Sequence, residues 1–563
     1  MNASHEKLKR MGDLANLCKR CFYTLCLCIC LPVLLAGAVQ PAGAAGRRGL
    51  TIENGWFVQN GRIIWGYAQH NGWWRAGRRP NITRNAPGRV GPNRTEDLDK
   101  LTDAMLRFAY PGFEHNFGLW YDRRRDAHDT RPRLDAHAVG PFLEQPWARS
   151  RIGRAADGLP LYDLTRFNSW YFKRLKAFAD LCDRKGTILF HNQYMQHALL
   201  ERQAHYVDFP WRPANCIQQT ALPDRIPAAD AFYDTTNPVR RKLHRMYINK
   251  TLDVLGYNHN VVFLCSQEYT GPLSFMRFWL DTVFAWEDAH HQRVLVAVNG
   301  TRDVVDAVLA DPTRRGRISV IDLRYWWYTP DGRLFAPAGG RQIPGRFTGA
   351  FTAAAGSAQM RNIRLQLQRY VGHGMRAPDG TTAQQIYRQV REYRDRFPHK
   401  AILHQIPAGR RESWAFLMAG GSLLIGQMPY AGGKDPRSYE SPEACRVIQP
   451  TYNFIRRHMA DSLWHMRPAD RVRPTSPTTW CLSDPGHEYL VYAMQGGKFG
   501  IDLSTTSGTF LARWLNPRSG RLAPAKNHVI KAGRIAGFAT PDRQDWALWL
   551  HLCQGPPNHN EKS

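Results

Sequence analysis

Asn237-Pro238 opens the stretch that decides how this chain reads, and Ser266-Gln267-Glu268-Tyr269 closes it. Asn237 suits a helix cap, and Pro238 suits a first helical position, where a missing N–H costs nothing. A helical pattern runs on to Leu255 and stops at Gly256. Val261-Val262-Phe263-Leu264-Cys265 then forms an unbroken apolar run, the mark of a strand covered on both faces. A helix delivering the chain to such a strand is the repeating unit of a parallel α/β sheet. A carboxylate just past the strand's C-terminal end stands where barrels of this kind do their chemistry.

The same order recurs outward in both directions. Upstream, Asn168 caps a helix with Tyr171, Leu175, Phe178 and Cys182 at helical spacing, and Gly186 ends it. Thr187-Ile188-Leu189-Phe190 is then a buried strand tipped by His191-Asn192-Gln193-Tyr194. Earlier still, a helix over 96–107 precedes Phe108-Ala109-Tyr110, and Arg62-Ile63-Ile64-Trp65-Gly66-Tyr67 is the first strand, fed by a hairpin from Asn54. Downstream, helices over 275–290, 302–309, 383–396 and 411–419 lead into strands at 294–298, 318–321, 401–403 and 422–425. Counting from Ile63 gives eight strands, which predicts a (β/α)8 TIM barrel of the α/β class. An open doubly wound sheet is the competing arrangement, and the lack of any G-x-G-x-x-G or P-loop after a strand weakens its nucleotide-binding form. Two long insertions, 111–163 and 330–381, interrupt the rhythm. The aromatic content of the first (Phe113, Phe117, Trp120, Tyr121, Trp147) predicts an ordered, functional loop.

Beyond a bridging helix at 444–459 the pattern changes to short strands split by Gly, Pro and Asn turns. That predicts a C-terminal antiparallel β-sandwich over 478–554, after a Pro/Arg-rich linker at 467–477, with a disordered tail at 555–563. At the other end, Lys7, Lys9, Arg10, Lys19 and Arg20 precede an apolar run from Tyr23 to Val39 and the small residues Ala42-Gly43-Ala44. This reads as a signal peptide over 1–45, with the barrel domain at 46–466, and implies export to the periplasm or beyond. An uncleaved anchor is the other reading of the run; no later stretch approaches a membrane span.

Five cysteines lie in the leader; Cys182, Cys216, Cys265, Cys445, Cys481 and Cys553 are scattered without C-x-x-C spacing. A zinc cluster or redox motif is not indicated, and one or two disulfides stay open. The 76 Lys and Arg against 47 Asp and Glu give a formal charge of +29. An Arg-rich surface explains it, and so does an acidic partner such as a uronate-containing or sulfated polysaccharide. Nucleic acid is not expected as a partner, since no nucleic-acid motif is present.

Hydrolysis of a glycosidic bond needs one carboxyl to protonate the leaving oxygen and another to attack or to activate water. Glu268, at a strand tip between Gln267 and Tyr269, fits the first role. For the second, Asp322 ends its strand beside Arg324-Tyr325-Trp326-Trp327, although Arg324 is equally a structural ion-pair partner for it. Glu114 is another choice, and Glu412 reads as a helix-capping acid instead; the pair stays open on the residues alone. Candidate sugar-binding groups surround them. His70, Asn71, Trp73 and Trp74 follow the first strand, and His115, Asn116 and Trp120 the second; His404 and Gln405 follow the seventh. Arg123 and Arg124 belong to a run that is either solvated or a clamp for carboxylates. The histidines, including His197, match no metal-ligand spacing such as H-E-x-x-H, so no metal or other cofactor is expected. No G-x-S-x-G elbow supports a serine nucleophile.

With these residues in view, the chain resembles a family of uncharacterised secreted bacterial proteins classed with the glycoside hydrolases. The most specific stretches are His115-Asn116-Phe117-Gly118-Leu119-Trp120-Tyr121-Asp122-Arg123-Arg124-Arg125, Asp208-Phe209-Pro210-Trp211-Arg212-Pro213-Ala214-Asn215 and Ile321-Asp322-Leu323-Arg324-Tyr325-Trp326-Trp327. More distantly the barrel is similar to the apiosidase-like hydrolases. Arg513-Trp514-Leu515-Asn516-Pro517 and Asp545-Trp546-Ala547-Leu548 resemble a collagen-binding-type sandwich domain that often follows such barrels. The resemblance implies an acid/base at the fourth strand, which Glu268 matches, and a Glu at the end of the seventh, where Gln405 stands instead. That departure leaves three readings: a hydrolase with its second carboxylate elsewhere, a non-catalytic carbohydrate-binding or scaffold protein, or a polysaccharide lyase. The expected partner is a plant or algal polysaccharide or oligosaccharide.

Overall fold

The structure is a computed structural model that describes residues 49–69, 98–117, 145–196, 199, 206–207, 209–225, 228–267, 269–336, 338–339, 381–406, 409–426 and 446–553. Eight parallel strands close into a barrel in chain order: β1 (Tyr67–Gln69), β2 (Gly112–His115), β3 (Ile188–Met195), β4 (Val261–Gln267), β5 (Leu295–Asn299), β6 (Val320–Asp322), β7 (Ala401–Gln405) and β8 (Leu423–Gly426). Closure comes where Leu424 and Ile425 of β8 pair with Tyr67 and Ala68 of β1. Helices α1 (Leu98–Arg107), α2 (Ser169–Lys185), α3 (Pro238–Leu255), α4 (Leu273–His290), α5 (Arg302–Ala310), α6 (Ala383–Arg396) and α7 (Arg410–Met418) alternate with them. The deciding stretch folds as read: the Asn237 side chain accepts from Arg240 N at 3.1 Å, Pro238 opens α3, and β4 follows.

Alternation along the strands sorts the side chains. Ala68, Phe190, Leu264, Ala297, Val320, Leu403 and Ile425 fill the barrel interior, while Phe113, Leu189, Phe263, Val298, Ile321, Ile402 and Leu424 face the helices. A hairpin (Leu50–Glu53 with Trp56–Gln59) plugs the N-terminal end, where Phe57 meets Phe190 edge-on at 5.9 Å. Gly112 is required beside that ring, because a Cβ there would stand 2.9 Å from Phe190.

Three strands differ from the sequence reading. Arg62–Ile63 pairs with the hairpin, so the barrel strand begins only at Tyr67, after a turn at Gly66 (φ +143°). The second strand is Gly112–His115, because Ala109 (φ +69°) ends the helical turn and hands its carbonyl to Tyr67 N. β3 runs on through Met195, which puts the polar stretch 191–194 inside the strand.

The C-terminal part is an antiparallel sandwich of β9 (Arg467–Ala469), β10 (Val472–Arg473), β11 (Thr479–Asp484), β12 (Glu488–Ala493), β13 (Lys498–Asp502), β14 (Thr509–Leu515), β15 (Leu522–Lys531), β16 (Ile535–Ala539) and β17 (Trp546–Leu552). They form a six-stranded sheet, β9-β11-β12-β17-β14-β15, facing a three-stranded one, β10-β13-β16, over Val491, Phe499, Ile501, Phe510, Leu548 and Leu550. β9 and β10 lie in the stretch read as a linker: backbone pairing with β11 and β13 overrides its Pro/Arg composition. Sandwich and barrel are clasped together. Asp545, fully buried, accepts from Arg410 of α7 (2.7 and 3.0 Å), Arg518 (3.0 Å) and Tyr492 (3.0 Å). Trp414 stacks on Tyr492 at 4.8 Å, and Tyr387 on Trp480 at 4.7 Å. The five described cysteines (Cys182, Cys216, Cys265, Cys481, Cys553) are free thiols, and Cys182 and Cys265 are core residues as their positions predict.

Candidate active site at the C-terminal ends of the strands

A polar layer caps the apolar interior where the strands end. Gly112 and Phe190 point inward, so Glu114 and Asn192, two residues on, share that orientation; Asn299 and Asp322 pair in register across β5 and β6. Glu114 and Asp322 belong to β2 and β6, which stand on opposite sides of the ring. One guanidinium joins them. Arg324 donates Nε to Asp322 Oδ2 at 2.7 Å, makes a second contact there through Nη2, and meets Glu114 Oε1 at 2.8 Å. All three side chains are at most 1% exposed.

Among the described residues two buried acids thus share the Arg324 cation, and these three groups together carry one negative charge when both acids are ionised. Burial raises the Asp322 carboxyl above the usual aspartate range, the Arg324 charge pulls against it, and the Glu114 charge adds to the rise. Such a cluster can hold a proton on one acid while keeping the other ionised, which is the division of labour that acid/base chemistry needs. Around it, Asn299 donates to Ser266 O at 2.6 Å. Among the described residues, neither amide atom of buried Asn192 nor Oδ1 of Asn299 has a hydrogen-bond partner. Polar atoms left this way are costly unless something not in the strands satisfies them.

The other candidates fall into three groups. Glu268, His70, Asn71, Trp73, Trp74, Trp120, Arg123 and Arg124 lie outside the described residues, as does His197. A second group faces the helices and not the mouth. His115 Nε2 meets Tyr171 OH of α2 at 2.8 Å; Gln193 donates to Thr251 Oγ1 at 3.0 Å; Tyr194 OH meets His244 Nδ1 at 2.7 Å. His191 is wedged between His115 (5.6 Å) and Phe263 (6.1 Å), and burial pushes its imidazole down to about 3, a neutral ring at any ordinary pH. His191 and Gln193 stand two apart on the outward face of β3, as His115 does on β2; Tyr194, next to Gln193, departs from that alternation near the end of the strand and packs against α3. Trp326 and Tyr269 are likewise packed in, Trp326 against Tyr393 at 5.4 Å and Tyr269 donating to Pro272 O. Neither offers a free face to a sugar.

The third group stays at the mouth. Asn116 donates to Gln267 Oε1, linking the ends of β2 and β4. His404 belongs instead with the helix-facing group: it shares the outward face of Ile402, burial and the Arg324 charge hold it near 3, and it bonds Gln389 Oε1 of α6 at 3.1 Å. Tyr325 lies beside Arg324, 6.0 Å from guanidinium to ring, and Gln405 is partly exposed at the rim of β7. The Glu114–Arg324 contact was the one the sequence did not announce, since 210 positions separate the two residues. Among the described residues no three His, Cys, Asp or Glu side chains group closely enough to hold a metal ion.

Comparison with known proteins extends the geometry. The structure is similar to a glycoside hydrolase family 5 protein from Bacteroides vulgatus ATCC 8482, at 11% identity over 90% of this chain and 93% of that one, with a TM-score of 0.51. A second solved structure, described as a glycoside hydrolase, is similar at 10% identity over 90% of this chain and 97% of that one, also with a TM-score of 0.51. At such identities the likeness is one of fold. No curated protein matches the sequence. Residues 474–551 match a family model described as "Putative collagen-binding domain of a collagenase". Residues 37–431 match the model described as "Domain of unknown function (DUF6298)", and the chain belongs to that family.

Proposed function

We propose that this protein is an exported glycoside hydrolase of the apiosidase-like kind, cutting a plant or algal polysaccharide at the C-terminal mouth of its barrel. The observation that carries the reading is the Glu114–Arg324–Asp322 cluster, two acids and one guanidinium gathered from opposite strands. Glu268 directly follows the last residue of β4 and takes the role of general acid/base. Asp322 is the second carboxylate, with Glu114 on the other arm of Arg324 as its alternate. The solved glycoside hydrolases of the same fold support the reaction class. The +29 charge supports an acidic substrate, and the basic-then-apolar leader supports export.

The test is a panel of neutral and acidic polysaccharides incubated with purified protein, scored for new reducing ends and, separately, for unsaturated products. Reducing ends lost in Glu268→Gln support the hydrolase, and unsaturated ends transfer the reading to a lyase. Binding with no product from any member favours a carbohydrate-binding scaffold, a second reading to which the complete burial of Asp322 lends weight.

A further inference from the structure

The outer wall of the barrel carries a groove of about 660 Å³ between α3 and α4, whose lining includes none of Glu114, Asp322 and Arg324. Phe278, half-buried, and the small side chains Ala285 and Ala289 give its lining an apolar stretch. Arg241 and Arg245, one helical turn apart on α3, and Arg277, in the second turn of α4, line its walls and are exposed. Among the described residues none of these three has a carboxylate within ion-pair distance. The groove's fourth arginine, Arg314, is by contrast bound by Asp281 and Asp311. Four guanidiniums therefore face a single lining carboxylate, Asp281. The Arg245 guanidinium lies 5.7 Å from the Phe278 ring, which helps fix its fork over the groove.

Helix direction decides where the groove leads. α3 delivers the chain to the start of β4 and α4 leaves from its end, so Arg241, Arg245 and Arg277 sit toward the mouth. A polymer lying across the mouth meets these arginines as it passes over the rim. Arginine forks recognise carboxylate and sulfate groups in pairs, and an apolar stretch beside them suits the carbon face of a sugar.

We infer that this groove is a second, non-catalytic binding site for an acidic polysaccharide, gripping carboxylates or sulfates along the chain. The inference deepens the hydrolase reading by naming the substrate class, and rests on it only for the polymer being a glycan. Binding is measured by affinity electrophoresis of the Glu268→Gln protein in gels with polygalacturonate, dextran sulfate, uncharged dextran or a DNA oligonucleotide. The expected result is retardation by one of the two acidic glycans and none by dextran. The R241A/R245A/R277A variant, losing three exposed charge contacts, should bind at least about tenfold more weakly. An R521A/K526A/K531A control on the sandwich should bind as the parent does. Single R241Q, R245Q and R277Q variants, each about threefold weaker, carry the test if the triple variant unfolds. Unchanged retention in the groove variants, equal loss in the sandwich control, no retardation by either acidic glycan, or DNA bound as tightly as those glycans would each overturn the inference. Failure of the hydrolase reading is distinguishable, since it shows as absence of product from the parent enzyme whatever the gels give.

Discussion

Replacing Arg324 by methionine tests the electrostatics of the mouth most directly. Methionine keeps much of the apolar stem and deletes the cation that meets Asp322 at 2.7 Å and Glu114 at 2.8 Å. Two carboxylates at most 1% exposed then lose the guanidinium that joins them. Removing one partner from a buried pair costs about 3–5 kcal/mol, and leaving two acids behind places this case toward the upper end. The loss depends on pH. Asp322 is already raised by burial, with Arg324 pulling it down, so in the variant Asp322 holds its proton more tightly still. A carboxyl whose folded pKa lies above its unfolded one contributes stability that is complete below the unfolded value, 3.8, and is lost as pH rises toward the folded value. Urea or thermal melts of parent and variant from about pH 4.5 to about pH 8 read this out, and the gap between them should widen steadily with pH. A gap that stays flat, or narrows toward alkaline pH, would refute the shared-cation argument.

The other outcomes follow from the same description. Glu268→Gln should lower turnover about 10²–10⁴-fold with an unchanged melting temperature, measured as reducing ends released. Asp545→Ala strands Arg410 and Arg518 and should cost about 3–5 kcal/mol in a denaturant melt. In the parent, those arginines outweigh burial and lower the Asp545 carboxyl, so the clasp's contribution is present above the ordinary aspartate value and fades as pH falls through the lowered one. Gly66→Ala puts a Cβ 2.7 Å from Ala109 O at φ +143°, and a loss of about 1–3 kcal/mol is expected from the same melts. An Asp545→Ala or Gly66→Ala protein as stable as the parent would contradict these contacts.

The barrel was legible because its signals are local. Capping at Asn168 and Asn237, stops at Gly186 and Gly256, and apolar runs such as 261–265 each act over a few residues. Strand ends were less legible: Ala109 at positive φ and the extension of β3 to Met195 depend on neighbours across the sheet. That error carried His115, His191, Gln193 and Tyr194 to the mouth on paper, when pairing turns them toward α2 and α3. Asp322 with Arg324 was visible two positions apart, whereas Glu114 joins them only through closure of the ring. The sandwich's first two strands were hidden by proline and arginine, residues that β9 and β10 tolerate at short, marginal positions.

The clasp at Asp545 has a consequence for how the molecule comes apart. It ties positions 135 residues distant in sequence, and the Trp414–Tyr492 and Tyr387–Trp480 stacks run alongside it. Two family signatures therefore share one cooperative melting unit: calorimetry should give a single peak, and cutting the chain between them would leave each fragment with a bare aromatic face seeking a substitute partner.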